Sequence, residues 1–193
     1  MAAMRRFWSS ALLTVLAMLF ASGTAAFAAP TPVAPAEAHQ FDFWIGEWTV
    51  TNPAGKHTGD SKIERIANGF GILENWTGAG GYSGKSLNAW NAEKKQWQQF
   101  WVGSDGGVLE LSGGLDAQGR MVLSGAHATV GGVVTERITW TPNADGSVEQ
   151  LWEQSSDGGK SWRAVFDGHY AEKPADHPLG GGTGRLRRFY SLQ

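Results

Sequence analysis

A chain of 193 residues carries 16 basic and 18 acidic side chains, for a net charge of −2, and it contains no cysteine. This charge balance excludes the basic surface typical of nucleic-acid-binding proteins, so nucleic acid is not an expected partner. The absence of cysteine excludes disulfides, thiolate metal sites and cysteine nucleophiles.

The first 28 residues have the pattern of a secretory signal peptide. Arg5 and Arg6 precede an apolar run at residues 7–21, and Ala26 and Ala28 supply small residues at the cleavage position. The apolar run is shorter than the about 20 residues that a membrane span needs. We therefore expect cleavage near Ala28, a periplasmic or secreted location and no membrane span after cleavage. The mature chain then has 14 basic and 18 acidic residues, a net charge of −4.

Residues 29–38 read APTPVAPAEA, a Pro/Ala-rich composition that predicts a disordered linker. A single domain is expected to follow at residues 39–193, since the mature chain has the length of one domain with a core of its own. Only residues 36–44 have a pattern compatible with a short helical turn.

Residues 41–48 read FDFWIGEW and hold the densest aromatic cluster of the chain. We expect the aromatic residues of its first half to form a turn that closes one end of the fold. Gly46 permits a bend after this turn, and Trp48 enters the first strand beneath it. Asp42 and Glu47 are expected to pair with backbone amides or an arginine rather than to act as catalytic acids.

Ten short segments with strand character follow, separated by turns rich in Gly, Asp and Asn. Consecutive hairpins indicate an antiparallel meander, and closure into a barrel removes the exposed edges of such a sheet. The expected fold is all-β, an antiparallel up-and-down β-barrel of about ten strands with a short N-terminal helical turn; a two-sheet sandwich is the alternative. The predicted strands are 47–52, 60–67, 71–78, 82–90, 95–102, 107–112, 119–127, 132–141, 147–155 and 161–171, and residues 185–190 could add an edge strand.

Polar side chains recur beside tryptophans on these strands, which suits a barrel lumen that is partly polar. The first functional hypothesis is therefore a barrel that binds a partly apolar or amphipathic small molecule. In the alternative, the tryptophans fill a small barrel and the polar groups face outward; periodicity alone does not decide which face is inward. The candidate ligand-binding residues are Glu74, Trp76, Asn88, Trp97, Trp101, Arg137 and Trp152.

No motif in the chain predicts catalysis or a metal site. The five histidines lack the spacing of zinc ligands, and no serine lies in a nucleophile elbow. Residues 155–162, SSDGGKSW, match a single Asp-box, a pattern that predicts a folded hairpin turn rather than a glycosidase. An enzyme that uses a lumen carboxylate such as Glu74 or Glu136 as a base is kept as an alternative, and so is a structural or interaction domain of the envelope.

The opening FDFWIGEW resembles the start of a family of uncharacterised exported bacterial proteins. The similarity continues through residues 73–76, 80–86, 137–142 and 150–153, and so covers nearly the whole mature chain. More distantly, Gly-Glu-Trp at residues 46–48 is similar to the G-x-W signature of calycins, which include the lipocalins, and to the opening of nitrobindin-type haem barrels.

This resemblance implies a closed antiparallel barrel around a ligand cavity, with a tryptophan closing one end. It implies no settled activity. The nitrobindin likeness also implies a possible haem, held by His169 in a late strand, as an alternative function; the residues themselves predict no cofactor.

Overall fold

Turn residues with positive φ separate ten strands along residues 31–174, the part of the chain that the computed structural model describes. Glycines supply most of these turn positions, because they adopt positive φ without a steric penalty. The strands are β1 (Gly46–Thr51), β2 (His57–Ile66), β3 (Gly71–Gly78), β4 (Ser83–Asn91), β5 (Gln96–Gly103), β6 (Val108–Leu115), β7 (Met121–Thr129), β8 (Gly132–Pro142), β9 (Val148–Ser155) and β10 (Arg163–Glu172).

The ten strands form one closed antiparallel barrel. Each strand pairs with its neighbour in sequence, and β1 also pairs with β10, with Thr49 opposite Ala171 and Val50 opposite Tyr170. This arrangement confirms the up-and-down barrel and excludes the sandwich. All ten predicted strands are present, with their ends displaced by at most three residues.

Two 3₁₀ turns, Ala36–His39 and Asp42–Trp44, precede the barrel, and a third lies at Ala67–Gly69. The side chain of Ala38 is fully buried, so ordered structure begins inside the segment predicted as a linker. The predicted signal peptide and the strand predicted at residues 185–190 lie outside the described residues. Between residues 31 and 174, no helix has the length and apolar character needed to cross a membrane.

The N-terminal turns plug one end of the barrel. Phe41 and Trp44 are stacked with their ring centroids 5.0 Å apart, and both rings contact Trp140. Phe41 also meets Trp97 edge to face at 5.7 Å, and the indole N–H of Trp48 donates to the Trp44 carbonyl at 3.0 Å. The prediction that residues 41–48 close one end of the barrel is confirmed.

Ion pairs hold the plug against the barrel wall. The carboxylate of Asp42 pairs with the guanidinium of Arg65 and lies 3.0 Å from Nδ1 of His39. Glu47 instead pairs with the exposed Lys62, at 3.6 Å. The arginine partner predicted for these carboxylates is therefore found for Asp42 but not for Glu47.

The hairpin between β9 and β10 contains the Asp-box sequence. The Asp157 carboxylate accepts hydrogen bonds from the backbone N–H groups of Lys160 and Ser161, both at 2.9 Å, and from the Ser155 hydroxyl at 2.8 Å. The Ser161 hydroxyl, which donates to the other carboxylate oxygen at 2.6 Å, does most to lower the pKa of Asp157 to about 2, and these bonds add to its effect. The motif is a folded turn, as its sequence predicts.

Candidate functional site

A cavity of about 310 Å³ lies in the half of the barrel opposite the plug. The side chains at its outer end are half-buried or exposed, whereas Trp44, Trp97 and Trp140 at the plug end are fully buried, so the cavity opens away from the plug. It is lined by Thr58, Glu74, Trp76, Gly78, Tyr82, Gln99, Trp101, Leu109, Ile138, Gln150, Trp152, Phe166 and Tyr170.

Glycines on the inner face let the large rings lie along the wall. A Cβ atom at Gly84 would be 2.2 Å from the Trp101 ring, and one at Gly59 would be 2.6 Å from the Trp76 ring. These contacts are possible only because glycine has no side chain. The rings at this end therefore lie against the neighbouring strands and line the lumen, whereas Trp97 and Trp140 fill the half next to the plug, so each sequence-based interpretation of the tryptophans holds for one half of the barrel.

Among the described residues that line the cavity, Glu74 is the one with a charged side chain, and it is almost fully buried. Oε1 of Glu74 accepts a hydrogen bond from the Ser61 hydroxyl at 3.0 Å, and Oε2 accepts one from the Ser86 hydroxyl at 2.9 Å. Burial raises the pKa of Glu74 to about 7, and the two serine hydrogen bonds oppose that rise. The carboxyl group can therefore change its charge near neutral pH.

A chain of amide hydrogen bonds orients one of these serines. Nε2 of Gln99 donates to Oδ1 of Asn88 at 2.9 Å, and Nδ2 of Asn88 donates to the Ser86 hydroxyl oxygen at 2.9 Å. The Ser86 hydroxyl thus accepts from Asn88 and is left to donate to Glu74. This network holds the Glu74 carboxyl group in one place.

Gln150 and Tyr170 form the other polar part of the cavity floor. Oε1 of Gln150 accepts from the Tyr170 hydroxyl at 2.6 Å and from the Trp140 indole N–H at 3.1 Å. Burial, with a smaller contribution from the nearby Glu74 charge, raises the pKa of Tyr170 well above its ordinary value. The phenol therefore stays neutral at physiological pH.

A second buried carboxylate, Glu136, lies on the inner face beside the cavity wall. Its Oε2 accepts from the Trp152 indole N–H at 2.6 Å, and its Oε1 accepts from the Gln154 amide at 2.9 Å. Nδ1 of His127 is 3.9 Å from the same carboxylate. Glu136 therefore fixes the ring of Trp152, and it is not part of the cavity lining.

Four of the predicted ligand-binding residues meet in the cavity: Glu74, Trp76, Trp101 and Trp152. Asn88 is fully buried on the inner face but is not among the lining residues, and it bonds Ser86 and Gln99. Trp97 points inward too, but it packs in the plug, and its indole N–H donates to Gln40 at 3.3 Å.

The prediction that Arg137 lines the lumen is wrong. Its guanidinium is on the outer face, where Nη2 donates to Glu153 at 2.8 Å and the group stacks over Trp162 at 3.8 Å. Side chains alternate along a strand, and the apolar residues Ile138 and Trp140 of β8 occupy the inner face. Arg137 alternates with these two residues along β8 and therefore faces outward.

His169 also lies on the outer face, because its neighbour Tyr170 is buried inside. Nδ1 of His169 is 2.6 Å from Glu149 Oε1, and no histidine is among the residues that line the cavity. The residues present therefore do not fit a haem bound in the lumen through His169. Residues 31–174 also contain no cluster of three or more His, Asp or Glu side chains that could hold a metal ion.

Sequence reasoning missed most of the polar floor. Ser61, Ser86 and Gln99 were not predicted, and neither were Gln150 and Tyr170. Alternation of side chains along a strand could have identified two of them, since Gln99 shares a face with Trp101 and Gln150 shares one with Trp152. The pairing of different strands, which brings the serines to Glu74, could not be obtained from alternation within one strand.

Compared with known proteins, the chain matches no family model and no curated protein. The resemblance of FDFWIGEW to an exported bacterial family thus stays a prediction.

Proposed function

We propose that the mature chain is an exported barrel that binds a small, partly apolar molecule in the cavity opposite the plug. The observation that carries this proposal is the contact of the Trp76 and Trp101 rings with Gly59 and Gly84. A barrel stabilised by filling its lumen has no need of these glycines, because its tryptophans could point toward the barrel axis. A lumen kept open by them supplies apolar surface to a guest molecule.

The size and chemistry of the cavity indicate a small ligand. A volume of about 310 Å³ is at the lower end of the range typical of ligand sites, about 300–1,000 Å³. Indole and phenyl rings on the wall offer stacking and apolar contact, and the polar groups lie together on the floor. We infer a ligand with a flat or apolar body and one polar end, which would point toward Glu74.

Export is proposed from the sequence alone. The pattern of residues 1–28 is that of a secretory signal peptide. A ligand carrier fits a location in the periplasm or the medium.

The binding proposal can be tested with N-phenyl-1-naphthylamine, a neutral aromatic probe that fluoresces in apolar surroundings. We expect the mature protein to enhance the probe's emission and to transfer energy to it from tryptophan. Gly84→Ala should push the Trp101 ring into the lumen and weaken binding by about tenfold or more, equivalent to about 1.4 kcal/mol.

Phe100→Ala is the matched control for this test. Phe100 precedes Trp101 on β5 but is on the outer face and is 45% exposed. Probe binding that survives Gly84→Ala and is lost in Phe100→Ala would place the probe on the outer surface and contradict the proposal. The absence of binding by the probe and by a panel of small aromatic, lipid and sugar ligands would also overturn it.

Catalysis by Glu74 is a second candidate function, favoured by the location and pKa of this group. A carboxyl group with a pKa of about 7 can serve as a general base or acid at neutral pH. Ligands recovered from the binding assay distinguish the two functions. Conversion of a ligand by the wild type, but not by Glu74→Gln, would favour an enzyme, whereas ligands recovered unchanged favour a binding protein.

A further inference from the structure

The acid and base side chains that are buried inside the barrel, among residues 31–174, are both carboxylic acids. Among the buried side chains of residues 31–174 there are two carboxylates, Glu74 and Glu136, and neither a lysine nor an arginine. Glu136 has indole and amide donors and a histidine nearby. Glu74 has two neutral hydroxyl donors and no cationic partner in this part of the chain.

We propose that the ligand carries a cationic nitrogen, an amine or quaternary ammonium group, and that Glu74 is its counter-ion. This inference rests on the proposed binding function and names the chemistry of the ligand's polar end. An ionised carboxylate accepts hydrogen bonds at about four positions, of which the serine hydroxyls take two. The others are left for a ligand.

The rings around Glu74 favour the same charge. Six of the thirteen lining residues are aromatic, and the faces of indole and phenol rings attract cations. Tyr82 stacks with Trp101 at 6.5 Å, and Trp76 meets Phe166 edge to face at 5.8 Å, so two pairs of rings line the cavity that contains Glu74. Aromatic side chains that line a pocket are a common means of binding ammonium groups.

Within residues 31–174, no cationic side chain contacts Glu74 inside the barrel. The neighbouring strands present Ser61 from β2, Ser86 from β4 and the neutral phenol of Tyr170 from β10. The lysines of these strands, Lys62 and Lys85, are exposed on the outer face. A cleft of one charge sign with apolar walls concentrates ions of the opposite sign.

Three ligands of similar size but different charge can therefore measure the charge preference of the cavity. Benzyltrimethylammonium has a permanent positive charge, benzyl alcohol is neutral and benzoate is negative. All three contain one ring, so differences in their affinity report the charge preference of the cavity. The permanent charge of benzyltrimethylammonium also means that any effect of pH on its binding comes from the protein.

Isothermal titration of these three ligands into the mature protein tests the inference. At pH 8.5 we expect benzyltrimethylammonium to bind at least about tenfold more tightly than benzyl alcohol, and benzoate more weakly than either. Because Glu74 has a pKa of about 7, binding of the cation at pH 7 should release about half a proton, measured in buffers of different ionisation enthalpy. Glu74→Gln should remove both the cation preference and the proton release.

Glu136→Gln, which changes the other buried carboxylate, is the matched control and should keep both properties. The inference is overturned if N-phenyl-1-naphthylamine binds but the three ligands show no cation preference. It is also overturned if the preference is lost in Glu136→Gln and kept in Glu74→Gln, or if affinity for benzyl alcohol rises at low pH because protonated Glu74 acts as the donor. If neither the naphthylamine nor any of the three ligands binds, the proposed function itself fails.

Discussion

Glu74 is buried, and burial makes ionisation of its carboxyl group unfavourable. The folded protein raises its pKa from the ordinary value of 4.5 to about 7, so the folded state keeps a proton that the unfolded chain releases in this window. The contribution of Glu74 to the free energy of unfolding is therefore largest below pH 4.5. It falls as the pH rises to about 7 and is constant above that, with a total loss of about 3 kcal/mol.

Glu74→Gln should abolish this component of the pH dependence, since glutamine has no proton to lose. Between pH 5 and pH 8, we expect the unfolding free energy of the wild type to fall by about 2–3 kcal/mol more than that of Glu74→Gln, since part of the total loss has already occurred at pH 5. Denaturant titrations at the two pH values measure this difference. The exposed Glu110, changed to Gln, is the control and should behave like the wild type.

An equal pH dependence of Glu74→Gln and the wild type would mean that Glu74 ionises in the folded state at about its ordinary pKa. That result would contradict the pKa of about 7. A stable Glu74→Gln variant at pH 8 would also show that the carboxylate is not needed for folding. Its position in the barrel would then point to a role with the ligand.

At the scale of elements, tryptophans in the two halves of the barrel have different tasks. Trp44 in the plug is fully buried and contacts Phe41, Trp140 and Tyr170. Trp101 in β5 is half-buried at the open end, where one side of its ring faces the cavity. The plug therefore stabilises the barrel, whereas the cavity wall is the surface available to the proposed ligand.

Trp44→Ala should lower the unfolding free energy by about 3–5 kcal/mol, the cost of removing a buried aromatic side chain. Trp101→Ala should cost less than half as much and should instead weaken binding of N-phenyl-1-naphthylamine. Denaturant unfolding and probe titration of both variants measure the two effects. Equal losses of stability would contradict the division between plug and cavity wall.

The elements themselves could be predicted from the sequence because their ends are marked. Turn residues such as Gly119, Gly146 and Gly158 occupy positive-φ positions between strands, and the strands found there match the predicted ones. The plug could be predicted too, because its aromatic residues are adjacent in sequence. Residues adjacent in sequence were therefore sufficient to predict both the strands and the plug.

The inner face could not be read with the same certainty, because both faces of several strands carry large side chains. Arg137 was placed in the lumen although Ile138 and Trp140, on the opposite face of the same strand, are the more apolar set. His169 was placed beside a ligand by resemblance, although Tyr170 next to it is the buried residue. In both cases the more apolar neighbour faces inward, which is the physical rule that decides.

At the scale of the whole molecule, the cavity combines side chains from strands that are distant in sequence. The Glu74 carboxyl group on β3 accepts from β2 and β4, while the wall opposite comes from β9 and β10. These groups meet only when the barrel closes. A single strand pattern could therefore suggest Glu74 and Trp152 as candidates but could not show that they share one cavity.

Closure is made at the seam between β1 and β10, the first and last strands of the barrel. Thr49 and Ala171 are direct partners across this seam, and both face outward since Val50 and Tyr170 are buried. Directly opposed residues of antiparallel strands have Cα atoms about 4.5–5.5 Å apart, within the range that a disulfide can join. The chain has no cysteine of its own, so an introduced pair has no competing partner.

The double substitution Thr49→Cys and Ala171→Cys should therefore cross-link the seam. The disulfide would close a loop of about 120 residues and stabilise the oxidised protein by about 5 kcal/mol in the chain-entropy model. A pair at Thr77 and Ser83, partners across a short hairpin, closes only a few residues and should give about 2 kcal/mol. Denaturant unfolding of each variant, oxidised and reduced, measures both values. If the seam disulfide stabilises the protein no more than the hairpin disulfide does, the β1–β10 seam does not open on unfolding. The loop-length argument, which assumes that it opens, would then be wrong for this barrel.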